Sequence, residues 1–241
     1  MKWLGKSDIG LVRKLNQDKY FVIQDKGFTL AIVCDGMGGA KAGEVASLEA
    51  CNFMKSYFNN HMIQSKHIED MKAWLRLGIQ QTNAHIHRLS RDTKDYEGMG
   101  TTMVAVLSYE NTCVLANVGD SRIYICTETE FKQITEDHSL VQTWINEGRI
   151  SEENAKNHPQ RSVLTNVLGV LNQTSIDIFS FDHSVQGILL CSDGLHGFVS
   201  DDEIEAIVRH QHTLSQKVDG LIEIANQKGG LDNTTVVLLW Y

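Results

Sequence analysis

An α+β fold with antiparallel sheets and external helices is predicted by three features of this 241-residue sequence. Strand segments arrive in blocks rather than one at a time between helices. Amphipathic helices arrive in pairs between those blocks. Most of the apolar runs end or begin at an aspartate, which places carboxylates at strand ends.

The first block covers residues 1–34, with strands in WLGKSDIG, YFVIQ and FTLAIVC. Two helices follow. In the first, Ala42, Val45, Ala46, Ala50, Phe53, Met54 and Tyr57 recur at steps of three and four. Ile68, Met71, Leu75, Ile79, Ile86 and Leu89 do the same in the second. The next block reads TTMVAVLSY, TCVLANV, SRIYICT and FKQI, and a short helix from Leu140 to Ile145 ends near Gly148. Residues 146–162, NEGRISEENAKNHPQRS, are polar and hold the single proline, Pro159, which predicts a loop-rich surface insertion. Strands TSIDIFSF and GILLC, helices near 201–209 and 214–227, and the strand TTVVLLWY complete the chain. No repeat, low-complexity tract or linker divides it, so one domain over 1–241 is expected.

Composition narrows the function. With 42% apolar and 22% charged residues the chain is an ordinary globular sequence. The formal net charge of −8, with no Lys/Arg stripe, argues against nucleic acid as a partner. No run approaches the roughly 20 apolar residues of a membrane span, and MKWLGKSDIG lacks a signal-peptide core. A cytoplasmic protein with no membrane partner is therefore expected. Cys34, Cys51, Cys113, Cys126 and Cys191 lie in or beside apolar segments, as buried reduced thiols do. None has an arginine six residues on, so cysteine-phosphatase chemistry is a poor rival. His85/His87 and His210/His212 are expected to point apart on helices at the surface.

Five aspartates carry the chemical signal: Asp18, Asp35, Asp120, Asp193 and Asp232. Several unpaired carboxylates brought together repel one another and favour cations, and an oxygen-only donor set suits Mg2+ or Mn2+ better than zinc. Each also has an ordinary reading as a turn or capping residue. DGMGGAKAGEVAS is the most specific segment, because its glycines permit a tight turn that lets a main-chain carbonyl reach a metal. It is not a dinucleotide fingerprint, since Lys41 holds the third glycine position. Arg13, five residues before Asp18, offers a fork for a phosphate dianion, or else is a solvated surface arginine.

Taken in order, RKLNQD, DGMGG, GMGTT (98–102), GDSR (119–122), DHS (137–139), LTNVLG (164–169), CSDGL (191–195) and DNTT (232–235) resemble the metal-dependent type 2C (PPM) protein serine/threonine phosphatases. The resemblance runs through nearly the whole chain and is nearest to the short bacterial members that consist of a catalytic core. It implies a four-layer αββα sandwich with the metals at one edge. It implies two core ions, Mn2+ or Mg2+, with room for a third. Asp35 would bridge the two, the carbonyl of Gly36 would bind one, and Asp193 and Asp232 would bind the other. Asp18 would act through water, Asp120 with Asp193 would form the third site, and Arg13 would hold the substrate phosphate. Residues 146–168 match the variable flap.

The implied activity is hydrolysis of phosphoserine and phosphothreonine on proteins by a metal-bridging hydroxide, opposing a bacterial Ser/Thr kinase. Its expected partners are phosphorylated proteins, including that kinase or its targets, and the chain is expected to be a monomer. Many eukaryotic members carry His where this chain has Met37, so the leaving-group proton is expected from water on a metal. Two alternatives stay open: a non-catalytic phosphoprotein-binding module, and an enzyme dedicated to one regulatory phosphoprotein such as an anti-sigma antagonist.

Overall fold

The computed structural model describes residues 1–38, 42–182 and 185–241. Strands β1 (Lys2–Asp8), β2 (Asp18–Asp25) and β3 (Phe28–Met37) precede helices α1 (Ala42–Asn60) and α2 (Ile68–Asp92). A 3-10 turn leads into β4 (Gly100–Thr101), β5 (Met103–Tyr109), β6 (Thr112–Val118), β7 (Arg122–Cys126) and β8 (Phe131–Gln133). Helices α3 (Leu140–Asn146) and α4 (Glu152–Lys156) follow, then β9 (Asp177–Asp182) and β10 (Gly187–Cys191). Helices α5 (Asp193–His196), α6 (Asp201–Arg209) and α7 (Leu214–Gln227) precede the final strand, β11 (Thr234–Trp240).

The strands form two antiparallel sheets, ordered β1-β11-β10-β7-β8 and β2-β3-β5-β6-β9, with β4 paired to the end of β3. Side chains alternate faces along a strand, so each central strand feeds two cores. In β3, Ala31 and Val33 pack between the sheets against Val237 and Leu239 of β11 and Ile188 and Leu190 of β10. Leu30, Ile32 and Cys34 of β3 turn outward and meet Ala46, Ala50 and Met54 of α1 and Leu75 and Ile79 of α2. On the far side, Val236 and Leu238 of β11 and Leu189 of β10 meet Val218, Leu221 and Ile222 of α7 and Ile204 and Val208 of α6. The result is the four-layer αββα sandwich, and burial on both faces explains why these strands read as unbroken apolar runs.

Most element boundaries agree with the sequence reading to within a few residues. Two details differ. Asp193 opens the short helix α5, with Ser192 at the N-cap position and its hydroxyl turned to Asp18 instead, where only a turn was expected. The insertion also contains α4, whose Ser151 side chain accepts from Asn154 N. All five cysteines are buried and free, as their apolar surroundings required.

The inter-sheet core gives a test of this packing. Leu190 is fully buried there, whereas Leu77 on α2 is 48% exposed. Leu190→Ala should lower the unfolding free energy by about 3 kcal/mol through lost burial and a cavity. Leu77→Ala should stay within about 0.5 kcal/mol. Urea denaturation of both variants checks the contrast.

Candidate active site

A two-residue turn sets the first pair of carboxylates. Lys26 and Gly27 have φ of 47° and 85°, the left-handed pair of a type I′ hairpin. That turn fixes the β2–β3 register with Asp25 opposite Phe28 and Asp18 opposite Asp35. Asp35 continues the parity of Ala31 and Val33, so it faces the space between the sheets. The other aspartates arrive from strand ends too. Asp120 lies between β6 and β7, Asp193 follows β10, and Asp232 precedes β11.

A hydroxyl network ties these ends together. Asp18 is only 2% exposed, and its Oδ2 accepts from Ser192 Oγ at 2.6 Å. Ser192 Oγ in turn accepts from the Thr235 amide at 2.9 Å, and the Thr235 hydroxyl meets Ser7 Oγ at 2.7 Å. This chain joins β2 of one sheet to β10, β11 and β1 of the other. The main chain of Asp35 is held by neighbouring threonines. Its N–H donates to Thr102 Oγ1 at 3.0 Å, and its carbonyl accepts from Thr101 Oγ1 at 2.8 Å. Thr102 Oγ1 also meets Ser121 Oγ at 2.7 Å, beside Asp120.

Asn233 performs the same service for the Arg13 loop. Its Oδ1 accepts from Gln17 N at 2.8 Å, and its Nδ2 donates to the carbonyls of Ile9 and Leu15 at 2.9 and 3.0 Å. Gly194 packs so closely on this residue that a Cβ would sit 2.0 Å from the Asn233 carbonyl. Glycine is therefore required where CSDGL meets DNTT.

The electrostatics are those of a crowded acidic cluster. Burial, above all, pushes the Asp18 carboxyl up to about 7, and Asp193 and Asp232 add to the rise. Burial and then Asp232 raise Asp193 to about 6. Asp35 and Asp120 are pushed well up by burial and then by their acidic neighbours. Asp193 is among the acidic neighbours that raise Asp35. Arg13 supplies a counter-charge through Asp232 Oδ2 at 2.6 Å, while remaining half-exposed.

His196 and the Arg122–Asp137 pair flank Asp120. Arg122 binds Asp137 through two nitrogens at 2.8 and 2.7 Å. Burial, and then Arg122, push the His196 imidazole down to about 3. It is therefore neutral and can donate Nε2–H to the Asp120 carbonyl at 2.9 Å.

The sequence-derived residues thus lie near one another: Asp18 stands opposite Asp35 and is bonded to Ser192 beside Asp193, Arg13 pairs with Asp232, and Asp120 adjoins Ser121, which meets Thr102. Gly36 sits beside them, hydrogen-bonded to the Gln17 carbonyl at 3.2 Å. Gly39 to Lys41 of the glycine run lie outside the described residues. Ser192, Thr235, Asn233, Thr102 and His196 were given no role by sequence reasoning. The signal available for the first four was a polar side chain next to a candidate aspartate or within a quoted motif. His85 and His87 lie on α2 as expected, and His210 and His212 are exposed as expected, but the placement of the second pair on a helix, pointing apart, needs correction. His210 and His212 lie beyond the end of α6 and stack on each other with ring centroids 4.0 Å apart. His85 is held to Glu49 on α1 at 2.8 Å.

Among the described residues, no three carboxylate, imidazole or thiol side chains already converge as a ligand set. The chemistry nevertheless fits hard divalent cations. The donors are all oxygen, and Asp18 Oδ1 is buried without a hydrogen-bond partner. A cation among these carboxylates would remove the repulsion that raises them.

Comparison with known proteins agrees. A sequence profile described as protein phosphatase 2C matches residues 12–232. The serine/threonine phosphatase stp of Listeria monocytogenes is 39% identical over 97% of this chain and 93% of its own length. Protein phosphatase PhpP of Streptococcus pneumoniae is 34% identical over 97% and 94%. The crystal structure of serine/threonine phosphatase Stp1 from Staphylococcus aureus superposes with a TM-score of 0.95 at 35% identity, covering 100% of this chain and 94% of that one. With the sandwich and the acidic strand ends in place, these likenesses establish that the chain belongs to the protein phosphatase 2C family.

Proposed function

We propose that this phosphatase hydrolyses phosphoserine and phosphothreonine on proteins, using two core divalent ions, Mn2+ or Mg2+, with room for a third. The observation that carries this reading is buried Asp18, set opposite Asp35 in the β2–β3 register with its Oδ1 left without a partner among further carboxylates, an arrangement that favours cations. The names of the bacterial relatives support the serine/threonine class.

In this reading Asp35, the Gly36 carbonyl, Asp193 and Asp232 would hold the core ions. Asp18 would act through water, and Asp120 with Asp193 would hold a further ion where one binds. Bound there, such ions supply a water of lowered pKa and positive charge beside the phosphoryl group. The remaining work belongs to the protein. The Ser192–Thr235–Ser7 network holds Asp18 in place, so the carboxylates are positioned before substrate arrives. Arg13 stands at the exposed side of Asp232 with its fork within reach of an incoming phosphate dianion. Met37 cannot donate a proton, so the departing serine or threonine oxygen takes one from water.

Residues 146–168 form the flap of this proposal, contacting protein substrates and holding no metal. Phosphorylated proteins, including a Ser/Thr kinase or its targets, are the proposed partners of a cytoplasmic monomer that binds no nucleic acid or membrane. No helix among the described residues is long and apolar enough to cross a membrane.

Three experiments test the proposal. With Mn2+ the purified protein should dephosphorylate a phosphothreonine peptide, and excess EDTA should abolish the activity. Full turnover after exhaustive chelation would refute it.

Arg13→Ala should lose about 1.5–3 kcal/mol of transition-state stabilisation, the range of a charge-assisted bidentate contact. The loss belongs in kcat/KM, with the melting temperature little changed. Steady-state kinetics on the folded variant decide whether Arg13 serves the phosphate or only Asp232.

The third concerns pH in the absence of metal. An unfolded aspartate titrates near 3.9, but Asp193 and Asp18 are raised to about 6 and about 7 in the folded chain. The native state therefore holds protons that the unfolded state has released. Across this window stability falls as pH rises. Melting temperature in EDTA should drop between pH 5.5 and 8, and the gain on adding Mn2+ should be larger at pH 8. Asp35→Asn should shrink that gain. Scanning fluorimetry at both pH values, with a metal titration, reads both effects.

A further inference from the structure

The DHS and LTNVLG motifs take no part in the mechanism above, yet the fold brings them together behind Asp120. His138 N donates to the Gly119 carbonyl at 2.9 Å, and Thr165 N donates to the His138 carbonyl at 2.9 Å. Next to these contacts, the Ser139–Leu164 bridge and the Leu140 N to Val163 O bond close the base of the excursion that carries α3 and α4. The His138 side chain is 14% exposed, and both of its ring nitrogens are engaged.

The partners fix the ring's tautomer. The Gly119 amide can only donate, and it points at His138 Nδ1 from 3.1 Å. Asn166 Nδ2 reaches the same nitrogen at 2.8 Å. That amide is not free to be turned round. Its Oδ1 accepts from Thr174 Oγ1 at 2.7 Å and from Ser175 N at 3.3 Å, and its Nδ2 also donates to the Ser175 carbonyl at 2.9 Å. Two independent donors therefore require an unprotonated Nδ1. The ring proton sits on Nε2, 3.0 Å from Asp177 Oδ2, and that carboxylate can only accept.

Gly119 immediately precedes Asp120 and has φ of 106°. A Cβ there would lie 2.6 Å from Thr102 Cβ, so this turn is held in a conformation that suits glycine. His138 grips both polar groups of Gly119, the carbonyl through its own main chain and the amide through Nδ1.

We infer that His138 is a positioning residue. As the Nε2–H tautomer, oriented by Asp177 and Asn166, it holds the Gly119 peptide so that Asp120 is presented to the metal site, and it couples that carboxylate to the base of the flap. The metal consequence rests on the role given to Asp120 above. The hold on Gly119 does not.

Two substitutions separate the functions of the ring. Asparagine places an acceptor near the Nδ1 position, and glutamine places its amide near the Nε2 position. In the full-length protein without metal, two-bond 1H–15N correlation should show Nδ1 unprotonated and Nε2 protonated. Hydrogen exchange at the Gly119 amide should accelerate about five- to tenfold in His138→Gln, as expected for one lost hydrogen bond, and stay near wild type in His138→Asn. Calorimetric Mn2+ titration should then show the weakest binding step loosened by about tenfold or more in His138→Gln, as for other residues that orient metal ligands, with recovery in His138→Asn.

An Nδ1–H tautomer, or equal exchange in the two variants, overturns the inference whatever the metal does. Wild-type Mn2+ binding in His138→Gln with accelerated Gly119 exchange overturns the presentation of Asp120. Asp120→Asn is the reference. If it too binds Mn2+ like wild type, the metal role of Asp120 fails, and the tautomer and exchange data alone decide the positioning claim.

Discussion

Burying the central strands on both faces is the constraint from which the rest of this structure follows. β3, β5, β10 and β11 each send alternate residues into the inter-sheet core and into a helix-covered core. A charged side chain within such a strand would have no solvent on either side, and its desolvation would cost several kcal/mol. Charge can therefore leave the strands only at their ends. The antiparallel registers then determine which ends become neighbours, and the acidic cluster is where they do.

Gathering carboxylates in this way is unfavourable in itself, and the surrounding polar residues show how the fold tolerates it. Ser192 satisfies one oxygen of Asp18 and leaves the other unpartnered. Threonines 101 and 102 take up the main chain of Asp35 rather than its carboxylate. Asn233 satisfies the backbone of the Arg13 loop. The framework is hydrogen-bonded while the carboxylates keep their negative character for a ligand. Stability is sacrificed at the point where cations would restore it, the usual relation between a strained charged site and its ligand.

Behind the carboxylates lie two histidines and an ion pair. His196 donates to the Asp120 carbonyl, His138 receives the Gly119 amide, and Arg122 is committed to Asp137. They act on the main chain around Asp120, on the same side as the base of the excursion carrying α3 and α4. A movement of that excursion therefore has a short, hydrogen-bonded route to one metal-site candidate, whereas Asp35 and Asp18 are anchored through other elements.

Much of this was legible in the sequence. The apolar runs gave the strands, the three- and four-residue spacings gave α1 and α2, and the aspartates at run ends marked the chemistry. Those features are local, because periodicity and charge placement act over a few residues. The family resemblance supplied the ligand roles that spacing alone left open. The tertiary structure decided what depends on contact between distant segments. The pairing of Asp18 with Asp35 requires the Lys26–Gly27 turn to set the register. The bond from Ser192 to Asp18 joins residues 174 positions apart. The bond from His196 to the Asp120 carbonyl and the double capture of His138 Nδ1 involve side chains whose sequence neighbourhoods give no sign of their partners. A histidine or serine codes for nothing specific until packing chooses its donor and acceptor. For that reason the sequence identified the carboxylates, and only the fold identified the groups that hold them.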